Sequence, residues 1–371
     1  MKRIGAVLAA ILLLSTAFPA RAEDIPTEVT EITEAEISGM EAAEAEMPTE
    51  TGVQAPDWAD VKLNSRGFID EGEYIFEDNE NGHWMYVSPT LRIEIVRTLE
   101  TPEKKKKSDK MQQFYCFTAE IWCDVENGEL PKTIWSDPEN PRAAKSEKFS
   151  HEIAKINKAV FATSTDYYTY RVDKKKKDGG NVGIVIRDGE ILYNHPVKNR
   201  EKSMPNYETL AIFKDGHVES WPNTEKKAEQ YIAEGAQQVY TFGPCLVRDG
   251  ELTEYIFKHA NRNLNPRHAF GMVEPGHFID VICEGRLWTK QKILGEIIEK
   301  RSTGVMMETL AELMIAKGCK IAVNLDGGQT AVMAFMGKQL NYVVKTDPYG
   351  RKTFEMLGFG TWNGNSVSEV Q

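Results

Sequence analysis

Three segments of this chain share one device. In GIVIRDGEILY (183–193), LAIFKDGHVESW (210–221) and CLVRDGELTEY (245–255), a basic residue followed by Asp-Gly interrupts two apolar runs. Asp-Gly supplies the positive backbone dihedrals that tight two-residue turns need, so each segment reads as an antiparallel hairpin with Asp188, Asp215 or Asp249 in the turn. A chain punctuated this way is constrained to sheets made from hairpins.

The remaining patterns agree. LRIEIVRTL (91–99) alternates, FYCFTAEIWC (114–123) is β-rich, and KKKKSDK (104–110) between them reads as the charged tip of a further hairpin. SHEIAKINKAVFA (150–162) opens on a serine and reads as a helix running into a strand, and a second helix is expected from Thr224 to about Glu234, capped by Thr224. RHAFGMVEPGHFIDVICEGR (267–286) is strand, turn, strand. STGVMMETLAELMIAKGC (302–319) follows as an amphipathic helix with Met306, Leu310, Leu313 and Met314 on one face and Gly318 at its end, and IAVNL (321–325) is a short buried strand. The expected fold class is α+β: mixed, largely antiparallel sheets with flanking helices in a single domain.

Size and charge bound the function. With 371 residues, 41% of them apolar, the chain can bury one large core or two modest ones. Its 45 basic and 56 acidic side chains give a net charge of -11, and no basic stripe with interleaved aromatics is present, so nucleic acid is not an expected partner. A second lysine run, 174–177, precedes Asp178-Gly179-Gly180 and reads as a solvated loop rather than a polyanion site. The seven histidines lack ligand spacing, and there is no nucleophile elbow, phosphate loop or dinucleotide fingerprint. No pattern asks for a cofactor, although a divalent metal held by Asp326 and a second carboxylate stays open.

The first residues address the compartment. Lys2 and Arg3 precede an apolar run over 4–18, and Ala-Arg-Ala at 20–22 offers small residues where a signal peptidase cleaves. A secretory signal over 1–22 is expected, leaving an extracytoplasmic chain without an integral membrane span; the alternative, an uncleaved anchor, has too short an apolar run for a bilayer. Residues 23–60 carry no Lys or Arg and are rich in Glu, Thr, Ala and Pro, the composition of an acidic disordered linker. A lead-in over 61–83 then reaches a domain over 84–365. Cys116, Cys123, Cys245, Cys283 and Cys319 lack metal spacing and read mainly as buried thiols, with Cys116–Cys123 as a conceivable pair.

One stretch asks a different question. NLDGGQTAVMAFMG (324–337) places Asp326 before two glycines between apolar runs, and by spacing alone it is a fourth hairpin turn. Taken with NPRHAFGMV, EGR and GVMMETLAELM upstream of it, in that order and at these intervals, it resembles the phosphodiester glycosidase family, and ATSTDYYTYR, NVGIVIRDGEILY and FGPCLVRDG extend the likeness over residues 84–360. The family pattern runs roughly Pro-Arg-Thr-Ala-Ile-Gly, Asp-Gly-Arg, a helix with Glu-Leu-Ala, then Asn-Leu-Asp-Gly-Gly-Gly-Ser. This chain departs from it at His268, Glu284, Thr309, Gln329-Thr330 and Ser164-Thr165.

The resemblance implies a secreted hydrolase that cleaves the glycosidic bond of sugar-1-phosphodiesters in surface polysaccharides or glycans. Such chemistry passes through an oxocarbenium-like state and needs a carboxylate and a phosphate clamp. Asp326 is the candidate nucleophile or general base, and Glu284 or Asp166 the second carboxylate. Arg267 and Arg286 suit the phosphate, because a guanidinium stays charged and forks onto two oxygens. Gly327 and Gly328 would let backbone N–H groups approach an anionic oxygen, Thr330 offers a hydroxyl, and His268 could protonate the leaving group. The departures keep a second reading open, a catalytically inactive glycan- or wall-binding module on the same scaffold.

Overall fold

The computed structural model describes residues 61–104, 111–141, 146–166, 183–196, 207–258, 263–287, 291–293, 296–298, 302–343 and 349–362. The expected signal and linker, the lysine run 174–177 and the 105–110 part of the other lysine tip lie outside them. Residues 55–371 form one compact unit by their contacts.

In chain order the strands and helices are β1 (Tyr74–Asp78), β2 (His83–Val87), β3 (Leu91–Glu100), β4 (Phe114–Cys123), β5 (Lys132–Trp135), α1 (Ser150–Ile156), β6 (Ala159–Thr163), β7 (Gly183–Arg187), β8 (Glu190–His195), β9 (Glu208–Phe213), β10 (Val218–Glu219), α2 (Ala228–Ala233), β11 (Ala236–Phe242), β12 (Cys245–Arg248), β13 (Glu251–Leu252), α3 (Tyr255–Lys258), β14 (Arg267–Glu274), β15 (His277–Cys283), β16 (Gln291–Ile293), β17 (Glu296–Ile298), α4 (Met307–Ala316), β18 (Ile321–Leu325), β19 (Met333–Phe335), β20 (Lys338–Gln339) and β21 (Glu355–Thr361). They build a nine-stranded sheet, β1-β2-β3-β4-β15-β14-β18-β12-β13; two five-stranded sheets, β10-β9-β11-β7-β8 and β20-β19-β6-β21-β5; and the ribbon β16-β17. Every ladder among the described residues is antiparallel. The fold is α+β, as the hairpin punctuation requires.

Sheet alternation then partitions the core. Phe270, Phe278 and Ile282 point from the nine-stranded sheet into a central cluster that also takes Tyr240 and Leu210 from the second sheet and Phe161, Phe335 and Phe359 from the third. Their neighbours one residue along, Ala269, Ile279, Val281 and Cys283, point the other way and meet Leu310, Ala311 and Met314 of α4. In the same manner α2 covers the second sheet through Tyr231, and α1 covers the third through Ile153. Each sheet therefore has one face in the shared core and one face under a helix, which is why so many strands are buried on both sides.

Local expectations meet specific outcomes. Asp188 and Asp249 take φ of 50° and 53° with Gly189 and Gly250 also positive, the mirror-image turn that joins β7 to β8 and β12 to β13. The helix expected from Thr224 starts at Ala228; residues 223–225 form a turn instead, and the Gln230 side chain accepts the Lys227 N–H to cap the start. On α4, Met307, Leu310 and Met314 are the buried face, whereas Met306 is the extended residue before the helix and Leu313 is half-buried. Cys116 and Cys123 lie at opposite ends of extended β4 and cannot bond to each other. All five thiols are buried and unbonded. No helix among the described residues is long and apolar enough to cross a membrane.

One ionic cluster ties the second and third sheets together. Arg187, at the end of β7, is buried and donates to Glu355 of β21 through Nε (3.0 Å) and Nη2 (2.5 Å), to Asp166 through Nη2 (3.0 Å), and to the Val239 carbonyl through Nη1 (2.6 Å). Its guanidinium lies 3.9 Å from the centre of the Tyr240 ring. Burial alone would favour losing the proton, but Glu355 and Asp166 more than offset it and hold the charge more firmly. Removing the cation would strand two buried carboxylates. Arg187→Ala should therefore lower stability by about 3–5 kcal/mol at neutral pH; a urea unfolding curve within about 1 kcal/mol of wild type would refute this role.

Candidate functional site

The site begins with register. β14 and β18 run antiparallel with His268 opposite Leu325 and Ala269 opposite Asn324, so the first residue of β14, Arg267, stands beside the residue just past β18, Asp326. Asp326 is not a fourth hairpin turn. β18 belongs to the nine-stranded sheet and β19 to a five-stranded one, so the segment between them crosses from sheet to sheet. The crossing is tight: a Cβ on Gly327 would stand 2.6 Å from the Pro266 carbonyl oxygen, and Gly328 has φ of 63°. Only glycine allows that approach.

This crossing lines a cavity of about 410 Å³. Around it stand Arg267, Arg286, Arg351, Asn265, Asn324 and Asp326, with Phe242 and Met307 as apolar wall. Asp326 is the one carboxylate among the lining residues. Its Oδ2 is buried, receives no hydrogen bond from the described residues, and lies 3.6 Å from Arg351 Nη1. Burial pushes the Asp326 carboxyl up to about 6, against the pull of the Arg351 guanidinium and of the Thr330 hydroxyl, which is close by but outside hydrogen-bonding geometry. Asn324 donates through Nδ2 to the Gly243 carbonyl at 2.8 Å, leaving Oδ1 without a donor among the described residues. Buried polar atoms left open at a cavity are the expected places for ligand hydroxyls or water.

The arginines differ in environment. Arg267 is buried, donates through Nε to the Val305 carbonyl at 3.1 Å and through Nη2 to the Asn263 carbonyl at 2.5 Å, and desolvation brings its pKa down to about 10. Arg286 is exposed, donates to Asn265 Oδ1, and adopts φ of 60°, a conformation uncommon for side-chain-bearing residues and concentrated at functional sites. Arg351 reaches the cavity from the segment before β21, where its backbone N–H bonds the Gln329 carbonyl at 2.8 Å. Neither Arg351 nor Asn265 was expected as a lining residue; Asn265 opens the NPRHAFGMV segment, whereas Arg351 sits in no periodic or motif context and only the chain's return to the crossing brings it there.

Other expected site residues stand elsewhere. Asp166 is engaged by Arg187 and by the Thr241 N–H (2.8 Å to Oδ2), within the ionic cluster. His268 is fully buried, with Nε2 2.7 Å from Asp280 Oδ2 and 3.1 Å from Thr163 Oγ1, and Nδ1 3.3 Å from Ser164 Oγ. Glu284 accepts the Tyr342 N–H through Oε1 at 2.6 Å, and its Oε2 receives no hydrogen bond from the described residues. None of the three lines the cavity. The Gly328 N–H donates to the Pro266 carbonyl at 3.0 Å, so it braces the crossing. Thr309, at the helix position where the family pattern carries an acid, accepts a hydrogen bond from Gln112 Nε2 at 3.0 Å. No group of three or more His, Cys, Asp and Glu side chains among the described residues is arranged to hold a metal ion.

A single buried carboxylate set among guanidinium groups at the ends of antiparallel strands is an arrangement for anionic ligands. The chain belongs to the phosphodiester glycosidase family, whose sequence model matches residues 152–359. It is 24% identical over 257 residues to the SPbeta prophage-derived uncharacterized protein YomE of Bacillus subtilis (strain 168), a match covering 68% of this chain and 34% of that protein, so the chain spans about a third of that relative's length. Its structure resembles the catalytic domain of zebrafish N-acetylglucosamine-1-phosphodiester alpha-N-acetylglucosaminidase, auto-inhibited by its pro-peptide, with a TM-score of 0.53 and 16% identity over 78% of this chain and 87% of that one.

Glu284 offers a measurable consequence. Burial pushes its carboxyl up to about 8. The folded chain therefore holds this proton to a higher pH than the unfolded chain does, and the stability it contributes is present at low pH and lost as pH rises from the ordinary carboxyl range towards 8. Asp326 acts in the same direction up to about pH 6. Glu284→Gln, which keeps the acceptor to Tyr342 without a titrating group, should flatten this decline and be more stable than wild type at pH 8 by roughly 2–4 kcal/mol. Parallel pH profiles of the two proteins in urea would contradict it.

Proposed function

We propose that the protein is an extracytoplasmic hydrolase that cleaves the glycosidic bond of sugar-1-phosphodiesters in surface polymers or glycans. The observation that carries this reading is the buried, incompletely satisfied Asp326 carboxylate 3.6 Å from Arg351 in the arginine-lined cavity. A phosphodiester bound across Arg267, Arg286 and Arg351 would have its charge met by guanidinium groups and its anomeric carbon near Asp326. The leaving group is a phosphomonoester, which departs without full protonation, so one carboxylate suffices and neither Glu284, Asp166 nor His268 has to reach the substrate. Asp326 serves as general base or nucleophile; both roles require its charged form. Asn324, a lining residue whose Oδ1 has no donor among the described residues, suits a sugar hydroxyl, whereas Thr330, expected at the site, is buried and does not line the cavity.

The alternative, a binding module without turnover, draws on the helix position held by Thr309 and on the engaged Gly328 N–H, which removes one donor from an oxyanion role. Incubation with a panel of hexosyl and N-acetylhexosaminyl phosphodiesters, following free sugar and phosphomonoester, separates the two. Wild type should release both products with activity rising through about pH 6. Asp326→Asn should lose roughly 10²- to 10⁴-fold in kcat. Arg351→Ala should raise KM by roughly 10- to 100-fold. Turnover by Asp326→Asn at the wild-type rate would sink the enzymatic assignment of this carboxylate, and saturable binding without products would favour the module.

A further inference from the structure

Cys116 and Cys283 face each other across neighbouring strands. They are register partners in the β4–β15 ladder, both are buried, and their Sγ atoms are 3.8 Å apart. The ladder's hydrogen bonds determine what kind of pair this is. Glu284 N–H donates to the Tyr115 carbonyl, and Cys123 N–H to the Gly276 carbonyl, which makes 115/284 and 123/276 the hydrogen-bonded pairs. By alternation 116/283 is a non-hydrogen-bonded pair, where opposite Cα atoms stand about 4.5 Å apart and side chains lie closest. That separation is within the range a disulfide spans, so the bond can close by side-chain rotation while the strands stay in place.

We propose that Cys116 and Cys283 are a disulfide site, oxidised when the chain folds in the presence of a disulfide donor. Two thiols lose their protons and two electrons to form one Sγ–Sγ bond, and the donor, a glutathione-class disulfide, is reduced to two thiols. Burial holds the Cys283 thiol well above its ordinary range, so exchange in the finished fold is slow and the bond forms while the strands are still accessible. The other thiols have no such partner: Cys123 lies opposite Leu91 and Cys245 opposite Val323, and Cys319 is outside any strand. The position has a structural consequence for the cavity. Cys283 is flanked on its other side by Arg267 and leads directly into Glu284-Gly285-Arg286, so the bond would pin the sheet end that presents both guanidinium groups.

The test needs no activity. The full chain is unfolded and refolded in a mixture of oxidised and reduced glutathione, unfolded again without reductant, alkylated, and digested with trypsin and a glutamate-specific protease that cuts at Glu120, between Cys116 and Cys123. Expected are alkylated Cys123, Cys245 and Cys319 and a linked Cys116–Cys283 peptide pair, with reductant lowering the Tm of the oxidised protein by roughly 5–10 °C. In C283S the same treatment should leave Cys116 alkylated and abolish the reductant-dependent shift. Five alkylated cysteines in wild type, or a link between any other two, would overturn the proposal.

Discussion

The β15-β14-β18 ladder is the constraint on which the rest depends. Antiparallel pairing brings the start of one strand to the end of the next, so Cys283, Arg267 and Asp326 arrive at one edge although they come from distant parts of the chain. Beyond β18 the chain has to leave the sheet, and it does so through Gly327 and Gly328 against Pro266. The close approach that opens this crossing also makes the cavity, with one carboxylate already desolvated at its wall. A slip of one residue in that pairing would turn Arg267 and Ala269 to the opposite face and dismantle both the helix-side core and the site.

Buried carboxylates in this molecule divide into those held by partners within the fold and the one that lines the cavity. Asp166 and Glu355 are consumed by Arg187, and Asp280 by His268; these groups hold sheets together with their hydrogen bonds made. Asp326 differs because it lines the cavity, its buried Oδ2 receives no hydrogen bond from the described residues, and Arg351 stands 3.6 Å away, beyond hydrogen-bonding distance. An incompletely satisfied buried carboxylate is destabilising, and its persistence at a strand end between arginines is what sets it apart from the satisfied ones. Glu284 is intermediate, half-satisfied by a backbone N–H, which is why its environment speaks through pH-dependent stability more than through the cavity.

Much of the fold was legible because it is local. Asp188-Gly189 and Asp249-Gly250 announce their turns through dihedral preference alone, and IAVNL is a strand over the residues its apolar run spans. Helix starts were less legible: Thr224 has the right side chain for a cap, yet the chain turns there and begins its helix at Ala228, because packing of Ala228 and Tyr231 against the second sheet decides where the helix can lie. The site was legible in part. Arg267, Arg286, Asp326, Gly327 and Gly328 do converge, whereas Arg351 has no local signal, and Asp166, His268 and Glu284, singled out by their places in the family-like segments, stand away from the cavity because burial and hydrogen bonds elsewhere in the fold position them.

The sequence by itself determined the hairpins, the α+β class and the resemblance in the Asn-Leu-Asp-Gly-Gly segment, since these depend on turn chemistry and on the order of short motifs. Whether Asp326-Gly327 was another hairpin turn or a crossing between sheets was decided only by tertiary structure, as was the separation of the carboxylate that lines the cavity from those held in ion pairs. Turn preference is a property of two or three consecutive residues. Burial, register and the identity of a charged partner belong to residues far apart in the chain, and only the folded sheets bring those together.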